Sequence, residues 1–291
     1  MTSIEFGNKL ITHHRVTMEE TPSAAGLRVR IADIGVVIAA RDAELSRDLA
    51  VHYQGFLDSS ASAELSIDVE TIPDLLVEPR RVELRGQPWL DVRAAGPSFR
   101  IRRVDFDGEL DLASGTAALR CRPRTLSVDG FLRVCFSLAI IRKGGLMLHA
   151  ASLVSRGRGH AFTGPSGAGK TTVCRLSGPR TVLTDETTIV RRNGRGFLVA
   201  GNPFPGELGR YGPNASFPLA SINLLVKDSA VGVTPLEADE AIRALLANTL
   251  LHARDSEMSA LALDAACAIA GEVAVRRLCF AQDPSFWEVV E

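Results

Sequence analysis

The chain has 291 residues, and its 33 Lys+Arg stand against 34 Asp+Glu, a formal net charge of −1. This length predicts about two domains or one large one, with enough buried surface to need no covalent staples. The balanced charge argues against a protein that grips long nucleic acid with its whole surface, because such binding is driven by phosphate neutralisation, yet it leaves room for one local phosphate site. Five cysteines, widely spread and without a Cys-x-x-Cys pair, support neither a disulfide framework nor a thiolate zinc site. They predict packed thiols in a reducing, cytoplasmic compartment. The polar first residues and a longest central apolar run of only residues 134–141 predict no membrane partner.

In chain order, the first 125 residues or so read as strands and turns. Residues 26–34, 63–69, 80–85 and 99–104 alternate apolar and polar positions, the pattern of a sheet with one wet face. Arg85-Gly86 and Asp107-Gly108 mark turns. Nothing there carries chemistry, and residues 1–128 are read as a β-rich accessory region. A short helix is expected over 131–141, followed by Gly144-Gly145 and a buried strand over 146–154. A second strand, 160–163, runs directly into a glycine-rich loop, and the short connection predicts that these two strands are neighbours. Further strands are expected at 181–184, 196–200 and 221–227, helices at 237–251 and 258–269, a strand at 273–280 and a last turn of helix at 284–290. Residues 129–291 form the second region.

The sharpest signal is the run Gly164, Pro165, Ser166, Gly167, Ala168, Gly169, Lys170, Thr171 and Thr172. It satisfies G-x-x-x-x-G-K-[ST] in the strand–loop–helix context that the pattern needs. Small residues let successive backbone N–H groups turn inward around a polyphosphate, Lys170 reaches its outer phosphates, and the Thr171 hydroxyl can serve Mg²⁺. The run therefore predicts a nucleotide site.

Other candidates are less specific. Asp185 and Glu186 follow the strand at 181–184, where one acid can hold a metal and the other take a proton. An Asp-Glu pair is also a common exposed turn. His149 lies among apolar residues, which fits either a backbone-satisfied core histidine or a contact to phosphate, metal or acceptor. The segment from Asn202 to Gly212 is rich in glycine and proline. It reads either as a rigid connection or as a site wall on which Glu207 contacts metal or acceptor and Arg210 clamps phosphate. Trp287 is expected as a core plug and Cys174 as a packed thiol.

Residues 148–152 (Leu-His-Ala-Ala-Ser), 162–172 and 183–186 together resemble the bacterial HPr serine kinase/phosphorylase family, placed with the ATP-dependent phosphoenolpyruvate carboxykinases among phosphate-loop proteins. Residues 201–206 and 284–287 look like features of its kinase-related branch. The resemblance implies an α/β phosphoenolpyruvate carboxykinase/HPr kinase-like P-loop domain with an N-terminal β-rich region. It implies an ATP- and Mg²⁺-dependent enzyme that phosphorylates a hydroxyl of a protein, peptide or small molecule. Lys170 then matches the phosphate-binding lysine, Thr171 the metal-binding hydroxyl, His149 the upstream histidine, and Glu207 a further metal-binding glutamate. Asp185 would fix metal and Glu186 accept the proton, although the family carries Asp-Asp where this chain has Asp185-Glu186. The family's glutamate-arginine signature around Glu207 is missing. The alternative is a catalytically weak nucleotide-binding regulatory or interaction module. Neither reading involves nucleic acid or membrane, and a homo-oligomer is left open.

Overall fold

The computed structural model describes residues 26–78, 90–95, 98–228, 230–253 and 255–291. The expected strand at 80–85 and the turn at Arg85-Gly86 lie outside the described residues.

Among the described residues the N-terminal sheet has seven strands. The hairpin β1 (Leu27–Ile31) and β2 (Ile34–Ala40) turns through Ala32 and Asp33, both at positive φ. A helix, α1 (Ala43–His52), then carries the chain to β3 (Leu65–Thr71), which lies parallel to β2. The remaining strands are β4 (Leu90–Ala95), β5 (Ser98–Arg103), β6 (Phe106–Asp111) and β7 (Thr116–Cys121), an antiparallel meander whose last strand closes onto β3 in parallel. The sheet order is β1-β2-β3-β7-β6-β5-β4. The expectation of strands alone missed α1. A parallel neighbour cannot be reached by a tight turn and needs a crossover. The local signal was Asp42, whose carboxylate accepts the N–H groups of Glu44 and Leu45 at 2.9 Å as an N-cap, followed by the buried Leu45 and Leu49 one turn apart.

Asp107-Gly108 is not a turn. Both residues lie inside β6, and the chain reverses at 104–105 instead. The glycine is required for closeness: a Cβ at Gly108 would stand 2.5 Å from the Phe131 ring and 2.8 Å from the Ala118 carbonyl oxygen. Gly108→Ala is therefore expected to cost about 1–3 kcal/mol by overpacking, read as a lower urea midpoint at unchanged slope.

Phe131 belongs to α2 (Thr125–Arg142), longer at both ends than the expected 131–141. Twelve of its 18 residues are buried, which requires neighbours on every side. It touches β6 and β7 of the first sheet and reaches two strands of the second, β8 (Leu146–Ser155) and β11 (Thr187–Asn193). The architecture is thus sheet, helix, sheet, with one continuous apolar core running from Val29 through Phe131 to Ile269.

The second sheet also contains β9 (Arg158–Thr163), β10 (Thr181–Thr184), β12 (Gly196–Ala200), β13 (Ser216–Lys227), β14 (Gly232–Pro235) and β15 (Ala274–Phe280). Its order is β10-β8-β11-β12-β13-β15-β14, with β9 held between β8 and β13. Helix α3 (Lys170–Leu176) follows β9. Helices α4 (Ala238–Ala247) and α5 (Ser256–Glu272) precede β15, and α6 (Trp287–Val290) ends the chain. The strand expectations from residue 146 onward hold to within a few residues, and the predicted adjacency of β8 and β9 is observed as an antiparallel pair. Trp287 is buried and donates to the Ser177 hydroxyl at 3.0 Å, as a core plug should.

The pairing departs from the α/β sheet expected. Among the described residues of this sheet the parallel pairs are β13 with β9 and β13 with β15, and the other pairs are antiparallel. Short links explain much of this: β8 turns into β9 through Arg156 and Gly157, at φ 49° and 74°, and a connection this short makes a hairpin. Strands β10 and β11, separated by Asp185 and Glu186 alone, run in line along β8, each antiparallel to it.

Candidate functional site

Strand β8 sets the site by its register. Ala150 lies opposite Thr163, the last residue of β9, while on its other side His149 lies opposite Thr187 and Ser152 opposite Thr184. The start of the glycine-rich loop and the acidic turn at 185–186 are thereby brought to one level of the sheet, with His149 between them. The Thr163 hydroxyl donates to the His149 carbonyl at 3.0 Å, and Ala150 N–H donates to the Glu186 carbonyl at 2.9 Å. The Thr184 hydroxyl accepts the N–H groups of Glu186 and Thr187 and fixes the acidic turn.

The loop 164–169 closes over itself. Ala168 N–H donates to the Pro165 carbonyl at 3.0 Å, and Lys170 Nζ donates to the carbonyls of Gly164 and Pro165 at 2.9 and 3.2 Å. Gly169 stands at φ 113°, and a Cβ there would lie 2.7 Å from the Phe280 ring. That conformation and that contact both demand glycine. Helix α3 buries its own Val173 and Cys174 in a smaller apolar cluster with Phe162, Phe280 and Trp287. Burial pushes the Cys174 thiol up to about 12, so it is a packed, unreactive thiol as expected.

A cavity of about 220 Å³ collects most of the expected residues. It is lined by His149, Ser166, Gly167, Gly169, Lys170, Thr171, Thr172, Asp185, Glu186 and Glu207, together with Arg175. Arg175 was missed, although its place on the helix that the loop opens was a sufficient signal. Gly164, Pro165 and Ala168 form the back of the loop rather than the cavity wall. Arg210 is exposed and does not line the cavity.

The cavity lining carries charges of both signs. Lys170 is 8% exposed. Burial draws its pKa below the ordinary lysine value, against the pull of Glu207 and Glu186. Burial and then the Lys170 charge lower the pKa of His149, so this imidazole is neutral at neutral pH. Asp185, 4% exposed, accepts the Leu208 N–H at 2.8 Å. The Thr171 hydroxyl donates to the Glu207 carboxylate at 2.9 Å. Among the described residues no group of three or more His, Cys, Asp or Glu side chains is arranged to hold a metal ion.

Residues 124–291, more than half of the chain, match the family described as SynChlorMet cassette protein ScmC. No curated protein matches the chain. The family match overturns the resemblance to HPr kinases and phosphoenolpyruvate carboxykinases, and with it the P-loop domain class inferred from that lineage. The ATP-dependent phosphotransferase activity falls with it. So do ATP and Mg²⁺ as cofactors and a hydroxyl-bearing acceptor as partner. The motif misled because glycine-rich loops that carry a lysine are set by local backbone demands, and local similarity does not carry a reaction with it. Among the described residues no helix is long and apolar enough to cross a membrane.

Proposed function

The chain belongs to the SynChlorMet cassette protein ScmC family, and on that premise we propose that the 164–172 loop is a binding site for one compact oxyanion, a phosphate-type group that the protein holds without transferring it. The observation that carries this is the Lys170 ammonium. It is buried, its hydrogen bonds go to two neutral carbonyls, and among the described residues it forms no ion pair. A buried cation on which the nearby carboxylates, Glu207 and Glu186, act only from beyond ion-pair distance is incompletely compensated, and an anion drawn into the loop would relieve that cost. Ser166, Thr172 and Arg175 on the same wall add hydroxyl and guanidinium donors suited to oxyanions.

The carboxylates of the lining narrow the ligand class. Glu186 and Glu207 face the same small cavity, so further negative charge beside the oxyanion is repelled, whereas an ammonium group is attracted. The cavity is also smaller than the roughly 300–1,000 Å³ common for drug-sized ligands. The best fit is a phosphate-type group with an amine a few bonds away. Isothermal titration with inorganic phosphate and with O-phosphoethanolamine tests this. Saturable binding of both, tighter for the amine, is expected; no binding of either at millimolar concentration would overturn it.

Two wider readings accompany this site. The division into regions 1–128 and 129–291 is supported by a family match that starts one residue before α2. A cytoplasmic, reducing location is supported by the free state of all five cysteines, three of them buried.

A further inference from the structure

The segment 202–212 carries Glu207, its one residue in the cavity lining. Its two ends meet where the Asn202 carbonyl accepts the Gly212 N–H at 3.2 Å. Asn202 anchors the start, donating to the Thr187 carbonyl at 2.8 Å and accepting the Phe204 N–H at 3.0 Å. Two further tethers reach outside the second sheet. Arg133, on α2, donates to the Pro205 carbonyl at 3.1 Å and lies over the Phe204 ring. Tyr211 meets His52, at the end of α1, with its hydroxyl 3.1 Å from Nδ1.

Both tethers converge on one carboxylate. Asp129, 3% exposed, accepts Arg133 Nε at 2.9 Å on one oxygen. On the other it receives His52 Nε2 at 3.2 Å and the Tyr53 hydroxyl at 3.4 Å. Burial and then Asp129 raise the Tyr211 pKa, so the phenol keeps its proton. The Asp129 carboxylate only accepts, so the hydrogen between it and His52 lies on Nε2. None of these residues touches the cavity.

We propose that Tyr211, His52 and Arg133 are positioning residues of the oxyanion site, holding both ends of the 205–211 segment so that α1 and α2 fix where Glu207 stands. The inference rests on the binding role given above for its consequence on ligands, but the tether itself is readable without a ligand. Glu207 supplies a carboxylate to the cavity that Lys170 also lines. A loosened segment therefore loses the preference for an amine-bearing phosphate while leaving the loop's own oxyanion contacts intact.

The test combines amide hydrogen exchange with titration on the full chain. The Leu208 N–H, bonded to Asp185, and the Gly209 N–H, bonded to the Gly206 carbonyl at 3.1 Å, report on the segment. The Ile222 and Leu224 amides in β13 serve as the control. Tyr211→Phe removes one neutral hydrogen bond at a half-exposed side chain. It is expected to speed exchange at 208–209 by about three- to tenfold with β13 unchanged. His52→Ala should do the same, whereas His52→Gln, whose amide both accepts and donates, should restore slow exchange. In titration, Tyr211→Phe should weaken O-phosphoethanolamine by a similar factor and leave inorganic phosphate unchanged. Unchanged exchange at 208–209 in Tyr211→Phe overturns the tether. Faster exchange with an equal loss for both ligands overturns the role of the tether in selectivity. If the wild-type protein binds neither ligand, the oxyanion reading fails while exchange still decides the tether.

Discussion

Lys170→Met is expected to weaken inorganic phosphate binding by about tenfold to about a hundredfold while leaving the fold at least as stable as the wild type. The factor is that of removing a hydrogen bond between charged groups, about 1.5–3 kcal/mol. The stability expectation comes from the same burial. The ammonium is removed from water, draws its compensation from two carbonyls and has a lowered pKa. A methionine of similar length and no charge escapes that desolvation cost, though it leaves the two carbonyls without that donor. Calorimetry against phosphate, paired with urea unfolding, separates the two effects. The lowered pKa adds a sign: wild-type affinity should fade as pH rises at values where an ordinary lysine would still be charged. Phosphate affinity unaltered in Lys170→Met would remove the loop from the binding site.

The second large effect is on acid stability and lies away from the cavity. His160 is buried on β9, edge-on to Trp287, and its pKa is pushed down to about 4, first by burial and then by Arg276 and Arg158; Glu291 opposes the shift and Arg180 adds to it. The ring is tied into a buried polar row. Arg276 Nε donates to Asn223 Oδ1 at 3.2 Å, Asn223 Nδ2 donates to the Ser221 hydroxyl at 3.0 Å, and that hydroxyl faces His160 Nδ1 at 3.0 Å. The hydroxyl can donate to Nδ1 or accept from it, so it is burial and the two guanidinium charges that disfavour the charged ring. The folded pKa lies below the unfolded value of about 6.5, so the stabilisation is complete above pH 6.5 and is lost as pH falls towards 4. The loss is about 3 kcal/mol at pH 4. His160→Gln keeps an acceptor and cannot charge in this range. Urea unfolding of the two proteins at pH 7 and pH 4 should show a difference that shrinks by about that amount on acidification. Parallel pH profiles would mean that His160 is not held neutral.

What the sequence made legible follows from range. The loop 164–169, its strand and its helix are dictated within about twenty consecutive residues, and so were readable. The acidic turn and Glu207 were readable as dense irregular segments, but their meeting depends on β8 lying between β9 and the β10–β11 turn. Helix α1 was lost in a stretch dominated by period-two strands, where the Asp42 cap was a small signal. Gly108 was misread because a glycine after aspartate marks a turn in sequence, whereas here it clears room for a ring 23 positions later. The row Tyr211–His52–Asp129 joins residues 159 and 77 positions apart, and no local pattern encodes it. Arg210, adjacent in sequence to Tyr211, was chosen for its charge and lies off the cavity, while Arg175 was passed over on the better-placed helix.

Because α2 is enclosed by both sheets, neither sheet can melt without stripping one flank of the same helix. The two halves are therefore expected to share a single cooperative transition, with calorimetric and van't Hoff enthalpies in agreement. The stretch of sequence that matches the family, residues 124–291, begins with this helix. Expressed alone, it would present the face of α2 that carries Phe131 without the cover of β6 and β7, and a greasy helical face of that kind drives self-association rather than an independent fold.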